Sequence, residues 1–258
     1  MNNTYYCRLN LVANRGPVYL VKKYLVLSAC GALLQPCNVF ADEAPNKKYN
    51  GNVELGYVNT TGNTQTQTLN AKAKVVATYD SWKQTLTLQA LNTSDKDTTT
   101  AERYGARLKT DYQFTKKQYA FGLLSYDNDR FSGYDYRTSF TLGYGNRVID
   151  EKKLKLELEA GPGVRYSKLS QDGTQEETIV HLAGKLNWQV SDSSQFEQDL
   201  STDIGTDTTI SQSVTSLSTQ VIGNLAMKIS YTLQYSTPVP QGVKKQDTET
   251  SVTLVYTF

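Results

Sequence analysis

The chain has 258 residues, with 27 lysines and arginines against 25 acids, one histidine and three cysteines. That length suits one large β domain or two small ones. A mean hydropathy of −0.49 and the lack of any uninterrupted apolar run of 18 residues exclude a helical membrane protein. They do not exclude a barrel, which meets lipid only at every second residue.

Read in chain order, the first element is a leader. Lys22 and Lys23 precede an apolar run from Tyr24 to Leu34, followed by Val39-Phe40-Ala41 and an acidic Asp42-Glu43. A positive region, a short apolar stretch and a small-residue site predict a secretory signal peptide over 1–41, cut between Ala41 and Asp42. Leu27-Ser28-Ala29-Cys30 resembles a lipobox, but its apolar stretch is short for that reading. The twenty residues before Lys22 are unusual for a leader and point to a true start downstream, at Val18 or Leu20. Cys7, Cys30 and Cys37 all lie in this segment, so the mature chain carries no disulfide, thiolate metal site or thiol nucleophile. Removing the leader's Arg8, Arg15, Lys22 and Lys23 leaves 23 basic residues against 25 acidic, a net of −2. The basic balance therefore belongs to the leader, and nothing supports nucleic acid as a partner.

After a short segment at 42–49, residues 50–258 alternate with period two. Leu69, Ala71, Ala73, Val75, Ala77 and Tyr79 interleave with Thr68, Asn70, Lys72, Lys74, Val76 and Thr78. A helix would spread those lysines round its surface, whereas a strand puts them on one face. Twelve such strands are predicted, near 51–60, 64–80, 82–93, 101–115, 118–127, 134–148, 153–167, 177–191, 194–205, 210–222, 225–236 and 247–258. The fold class is all-β, a single antiparallel up-and-down transmembrane barrel of about 12 strands, the even number bacterial single-chain barrels use.

Every second connection is short: Asp80-Ser81, 115–117, 149–152, 191–193 and Gly223-Asn224. Most of the others, at 94–100, 128–133, 168–176 and 237–246, are longer and polar. That asymmetry predicts periplasmic turns and outer loops, with both termini in the periplasm. Tyr79, Trp82, Tyr112, Phe114, Tyr119, Tyr144, Trp188 and Phe196 cluster near the turns, and Tyr57, Tyr104, Tyr134, Tyr136, Tyr166 and Tyr235 toward the loops, as two aromatic girdles would. The chain ends Val252, Leu254, Tyr256, Phe258 in alternation. Tyr256 and the terminal Phe258 resemble the signal read by outer-membrane barrel assembly, which implies the assembly machinery, periplasmic chaperones and outer-membrane lipid as partners.

The run Gly51-Asn52-Val53-Glu54-Leu55-Gly56-Tyr57-Val58-Asn59-Thr60-Thr61-Gly62-Asn63-Thr64 resembles the opening strand and turn of the YdiY-like family of salt-induced outer-membrane proteins, grouped as a domain of unknown function. Ala160-Gly161-Pro162-Gly163-Val164-Arg165 is similar to that family's central Gly-Pro-Gly strand. The resemblance spans about residues 50–258 and implies a bacterial outer-membrane barrel linked to salt or osmotic stress. It brings no catalytic residues.

If the apolar face meets lipid, the inward face carries a basic wall of Lys72, Lys74, Lys83, Arg103, Arg107 and Lys109 on strands two to four. Glu197, Asp199 and Asp203 on strand nine form an acidic wall opposite. Such a field in a hydrated lumen favours small polar or charged solutes. Long charged side chains that pair across a narrow interior would instead close it, and these two readings stay open. Glu157, Glu159 and Arg165 are expected to pair locally across strands. No catalytic constellation stands out. The lone His181 shares an inward face with Lys185, Asn187 and Gln189, and the residue two places on is Ala183, so a lumen polar role is expected over that of a general base. No cofactor or metal cluster is expected, Asp95-Lys96-Asp97 reads as a solvated loop, and the sequence leaves the oligomeric state undetermined.

Overall fold

Period-two alternation becomes twelve strands in the computed structural model: β1 (Lys48–Thr60), β2 (Thr66–Tyr79), β3 (Trp82–Asp95), β4 (Thr98–Gln113), β5 (Gln118–Asp129), β6 (Tyr134–Asp150), β7 (Leu154–Leu169), β8 (Thr174–Gln189), β9 (Ser194–Gly205), β10 (Thr209–Ile222), β11 (Leu225–Thr237) and β12 (Gln246–Thr257). The structure describes residues 48–60, 66–95, 98–129, 133–170, 173–237 and 245–258. The leader, its Ala41–Asp42 cleavage site and the Asp95-Lys96-Asp97 loop as a unit lie outside these.

Each strand pairs antiparallel with its chain neighbours, and β1 with β12, so the sheet closes. Closure leaves no unpaired edge, which is what lets a sheet live in lipid. Following the register once round the barrel returns about 16 residues along β1, a stagger that tilts the strands about 45°. At that tilt a 16-residue strand climbs about 37 Å, more than the ~25 Å apolar band of such barrels.

The outward faces carry large apolar side chains all round: Leu86, Leu88, Leu142, Leu158, Leu182, Ile229, Val252 and Leu254 are each exposed by four-tenths to a half. Each such side chain forgoes about 1.5–3 kcal/mol if water is what covers it. A continuous belt of them has a physical rationale only against lipid.

The short connections fall as predicted, between β2 and β3, β4 and β5, β6 and β7, β8 and β9, and β10 and β11. They define a turn end of the barrel, where Gly51 and Phe258 also meet. Asp80 and Gly223 supply the positive φ (46° and 53°) that two of these turns need. At the opposite, loop end the predicted longer loops shrink. β3 runs to Asp95 and β4 starts at Thr98, while β7 runs to Leu169 and β8 starts at Thr174. Much of the expected loop is strand standing above the belt, because Thr-rich segments such as 98–100 have high strand propensity and complete their backbone bonding in the ladder. Register breaks sit toward the rims, at Thr93/Ser94, Asp127/Asp129, Tyr134/Tyr136, Arg147/Ile149 and Gln220/Ile222, as bulges do in barrels.

Two aromatics depart from the girdles. Tyr119 and Tyr134 are 1% and 7% exposed. Tyr119 points into the barrel with Phe121, because their cross-strand partners on β6 are Gly145 and Gly143. A Cβ at Gly143 would stand 2.6 Å from the Phe121 ring, so the glycines make the room the rings fill. Tyr134 lies beneath the Arg137 guanidinium, 5.0 Å from its ring centre. The remaining girdle residues stay outward, with Trp82 packed on Tyr112 at 4.8 Å and Tyr126, Tyr136 and Tyr166 stacked in a row at 6.1 Å spacings.

Candidate functional site

The inward faces bound one cavity of about 940 Å³. Its lining runs from Lys152, Lys153 and Lys155 at the turn end to Asp129, Arg137 and Glu249 at the loop end. A polar space of that size holds on the order of tens of water molecules.

All nine residues of the two predicted walls line this cavity. Acids and bases on the same strand, on neighbouring strands and, for some, on strands brought near by closure stand beside them. On the basic side, Lys83 lies 3.8 Å and Lys109 3.3 Å from Asp111, the buried acid of β4 itself. Arg103 donates through Nε to Asp129 at 2.9 Å and reaches Glu249 of β12 at 3.7 Å. Glu249 also accepts from Asn70 at 3.0 Å. Lys72, Lys74 and Arg107 make no ion pair among the described residues.

The acids of β9 are matched as well. Asp199 accepts from Lys185 at 3.3 Å, Asp203 bonds His181 at 2.5 Å, and Glu197 lies 3.9 Å from Lys228. Lys228 also donates to Glu54 at 3.1 Å, joining β11 to β1. The opposed walls of free charge are therefore a set of paired charges with three cations left over. Thirteen lysines and arginines against ten acids line the cavity, so the interior is cationic inside a barrel whose predicted mature sequence is net acidic.

Of the pairs expected to be local, Arg147–Glu157 at 3.2 Å and Arg165–Glu177 at 2.8 Å do join adjacent strands. Glu159 does not, since it bonds Lys109 on β4, past β5 and β6. It reaches there because Tyr119 donates to the same carboxylate at 2.6 Å and the Lys109 ammonium sits 5.2 Å from the Tyr119 and Phe121 ring centres. Phe121 in turn meets His181 edge-on at 6.1 Å. This aromatic and ionic cluster fills one side of the lumen. The signal for it was present in the sequence as aromatics on β5 opposite glycines on β6. Replacing Tyr119 by phenylalanine removes one donor from a buried carboxylate and should lower stability by about 1–2 kcal/mol, read by urea unfolding of the barrel in detergent.

His181 is buried and bonded to Asp203, yet no hydroxyl is hydrogen-bonded to it among the described residues. β10 also reverses the usual pattern in part, together with two outward polar residues of β9. Ile210 and Val214 line the cavity, while Gln198 on the outward face donates to Ser213 at 3.0 Å and accepts from Thr215 at 2.6 Å. Thr202 and Ser211 bond at 3.2 Å. Polar groups at membrane depth are thus satisfied by one another.

An even-stranded antiparallel barrel with an apolar belt outside and a polar, cavity-bearing interior is the build of bacterial outer-membrane porins and channels. The chain belongs to the family described as "Protein of unknown function, DUF481", whose model matches residues 53–258. It is 29% identical over 222 residues to the uncharacterized protein YdiY of Escherichia coli (strain K12), covering 85% of this chain and 88% of that one. Its fold is similar to that of the NanC porin, with a TM-score of 0.50 and 8% identity over 81% of this chain and 98% of that one. It is also similar to the KdgM porin (TM-score 0.44, 11% identity, 82% and 99% covered) and to the translocator domain of the autotransporter NalP from Neisseria meningitidis (0.44, 15%, 90% and 94%).

Proposed function

We propose that the protein is an outer-membrane barrel whose hydrated lumen admits small polar or charged solutes, with the turn end and both termini in the periplasm. The observation that carries this reading is the cavity of about 940 Å³ lined from Lys152 at one end to Glu249 at the other. A packed interior would break that space into voids too small for water. The inward face is also lined by polar and charged groups, so a solute meets a polar wall. The resemblance to salt-induced proteins adds an association with salt or osmotic stress. Assembly would proceed through periplasmic chaperones and the barrel assembly machinery, which would read Tyr256 and Phe258.

A second reading is a closed structural barrel without transport. It is favoured by the bonds that cross the lumen, from Lys109 to Glu159 and from Lys228 to both Glu54 and Glu197. Planar-bilayer recording of folded protein separates the two. Stepwise channel events are expected. Their absence from a preparation that migrates as a folded barrel would remove the pore and leave the structural reading.

A further inference from the structure

Lys72, Lys74 and Arg107, three of the lining cations that make no ion pair among the described residues, lie together. Lys74 on β2 and Arg107 on β4 are both register partners of Thr87 on the intervening β3. Lys72, two residues from Lys74, is the partner of Gln89, which in turn faces Gly105. The Gln89 side chain lies over that glycine, where a Cβ would stand 2.6 Å from its amide nitrogen. Lys74 and Arg107 are thus separated by two strand spacings, roughly 10 Å at the backbone, with a hydroxyl and an amide between them, all lining the cavity.

The acids within electrostatic reach of the two lysines are Glu54, Glu197 and Asp199. Each of these already faces Lys228 or Lys185. Lys185, Lys228, Lys72, Lys74 and Arg107 stand against those three acids, so a net of two positive charges is presented to whatever occupies the lumen. Arg107 offers a planar fork that matches carboxylate and phosphate oxygens, and the two ammonium groups add point charges beside it.

We propose that Lys72, Lys74 and Arg107, with Thr87 and Gln89 between them, form a site in the lumen for small anions bearing a carboxylate or phosphate group, and make the lumen anion-selective. This rests on the reading of the lumen as a hydrated pathway. A net cationic cluster in a low-dielectric wall raises the local anion concentration and repels cations.

The test is the reversal potential in a KCl gradient across a planar bilayer, followed by titration with inorganic phosphate. The wild type is expected to prefer chloride over potassium by about threefold or more, and phosphate is expected to reduce the chloride current saturably. The variant K72Q/K74Q/R107Q should fall to near-equal permeability and lose the phosphate effect. K152Q/K153Q/K155Q removes as much charge from the turn end and should keep both. Cation selectivity in the wild type, or selectivity and phosphate block that survive in K72Q/K74Q/R107Q, overturns the proposal. Should the triple variant not fold, Arg107→Gln alone decides by the same readings. If the wild type shows no channel, the pore reading fails separately. The site is then decided by calorimetric titration of phosphate into the folded barrel: saturable heat lost in Arg107→Gln supports it, and no heat in the wild type overturns it.

Discussion

Gly51→Val should prevent the barrel from closing, and deletion of Phe258 should do nearly as much harm. Every other neighbouring pair of strands is zipped along most of its length, but β1 meets β12 only from Asn52 to Leu55 against Leu254 to Thr257, with Gly51 and Phe258 as the final pair. That pair exchanges two backbone hydrogen bonds of 2.9 Å. The Phe258 ring covers Gly51, where a Cβ would stand 2.7 Å from the ring and 2.7 Å from the Lys74 carbonyl oxygen. The carbonyl belongs to the β1–β2 ladder and cannot retreat without breaking it. Alanine here should cost about 1–3 kcal/mol, the usual range for overpacking, and valine more. Loss of the seam also exposes backbone groups to lipid at several kcal/mol each. The check is the shift between unheated and boiled samples in a denaturing gel after refolding into lipid. Gly51→Val and the deletion should run as unfolded chain in both lanes. Gly122→Ala is the control, because its Cβ meets only Leu142 at an ordinary 3.5 Å, and it should run folded. A folded band for Gly51→Val at wild-type yield would refute the account of the seam.

The seam also shows what the sequence could and could not reveal. Phe258 was legible as the end of an amphipathic strand, since alternation is a local property that lipid on one face imposes on every strand. All twelve strands were legible for that reason, to within a few residues at most ends. The pairing of inward charges was legible only in part: Lys83–Asp111 and Arg103–Asp129 are register partners on adjacent strands, but the longer bonds depend on the stagger with which the barrel closes. Lys109 and Glu159 are 50 residues apart, and Lys228 and Glu54 are 174 apart. Nothing local to β4 says that its lysine meets a carboxylate from β7. Reading Lys83, Arg103 and Lys109 together with Lys72, Lys74 and Arg107 as one wall followed from strand faces alone; Asp111 on β4 and Asp129 on β5 pair with the first three, and the second three make no ion pair among the described residues. The inward Tyr119 was missed because aromatic residues occupy both faces of β5, and only the glycines opposite distinguish the face that packs inside. The outward Ser211, Ser213 and Thr215 of β10, with Gln198 and Thr202 of β9, break the apolar-out rule, and they are satisfied by contacts between the two strands that neither shows alone.

Arg165 and Glu177 should give the other large effect. Their side chains are 3% and 1% exposed, the most deeply buried ion pair among the described residues. The pair does more than join β7 to β8. Arg165 donates through Nη2 to the Thr208 carbonyl, and Glu177 accepts from the backbone N–H groups of Asp207 and Thr208 at 3.1 and 2.9 Å. It therefore anchors the β9–β10 connection to the loop end of the barrel. Burying two charges is repaid to the extent that their remaining donors and acceptors are satisfied; here the connection supplies three partners, and Arg165 Nη1 is left without one. Arg165→Met leaves the Glu177 carboxylate buried without its cation and should cost about 3–5 kcal/mol; Glu177→Leu strands the guanidinium and should cost a similar amount. Removing both leaves no buried charge, so the double variant should be less damaged than the sum of the singles and no worse than either. Urea unfolding of the refolded barrels measures the three differences. Proteolysis of the folded variants at the β9–β10 connection reports separately on the anchor. Cleavage should appear in all three variants, including the double, because the backbone groups at Asp207 and Thr208 lose their partners whether or not a charge is left behind. Costs that simply add in the double variant would mean that the two side chains act independently, and that the pair is not what holds the connection.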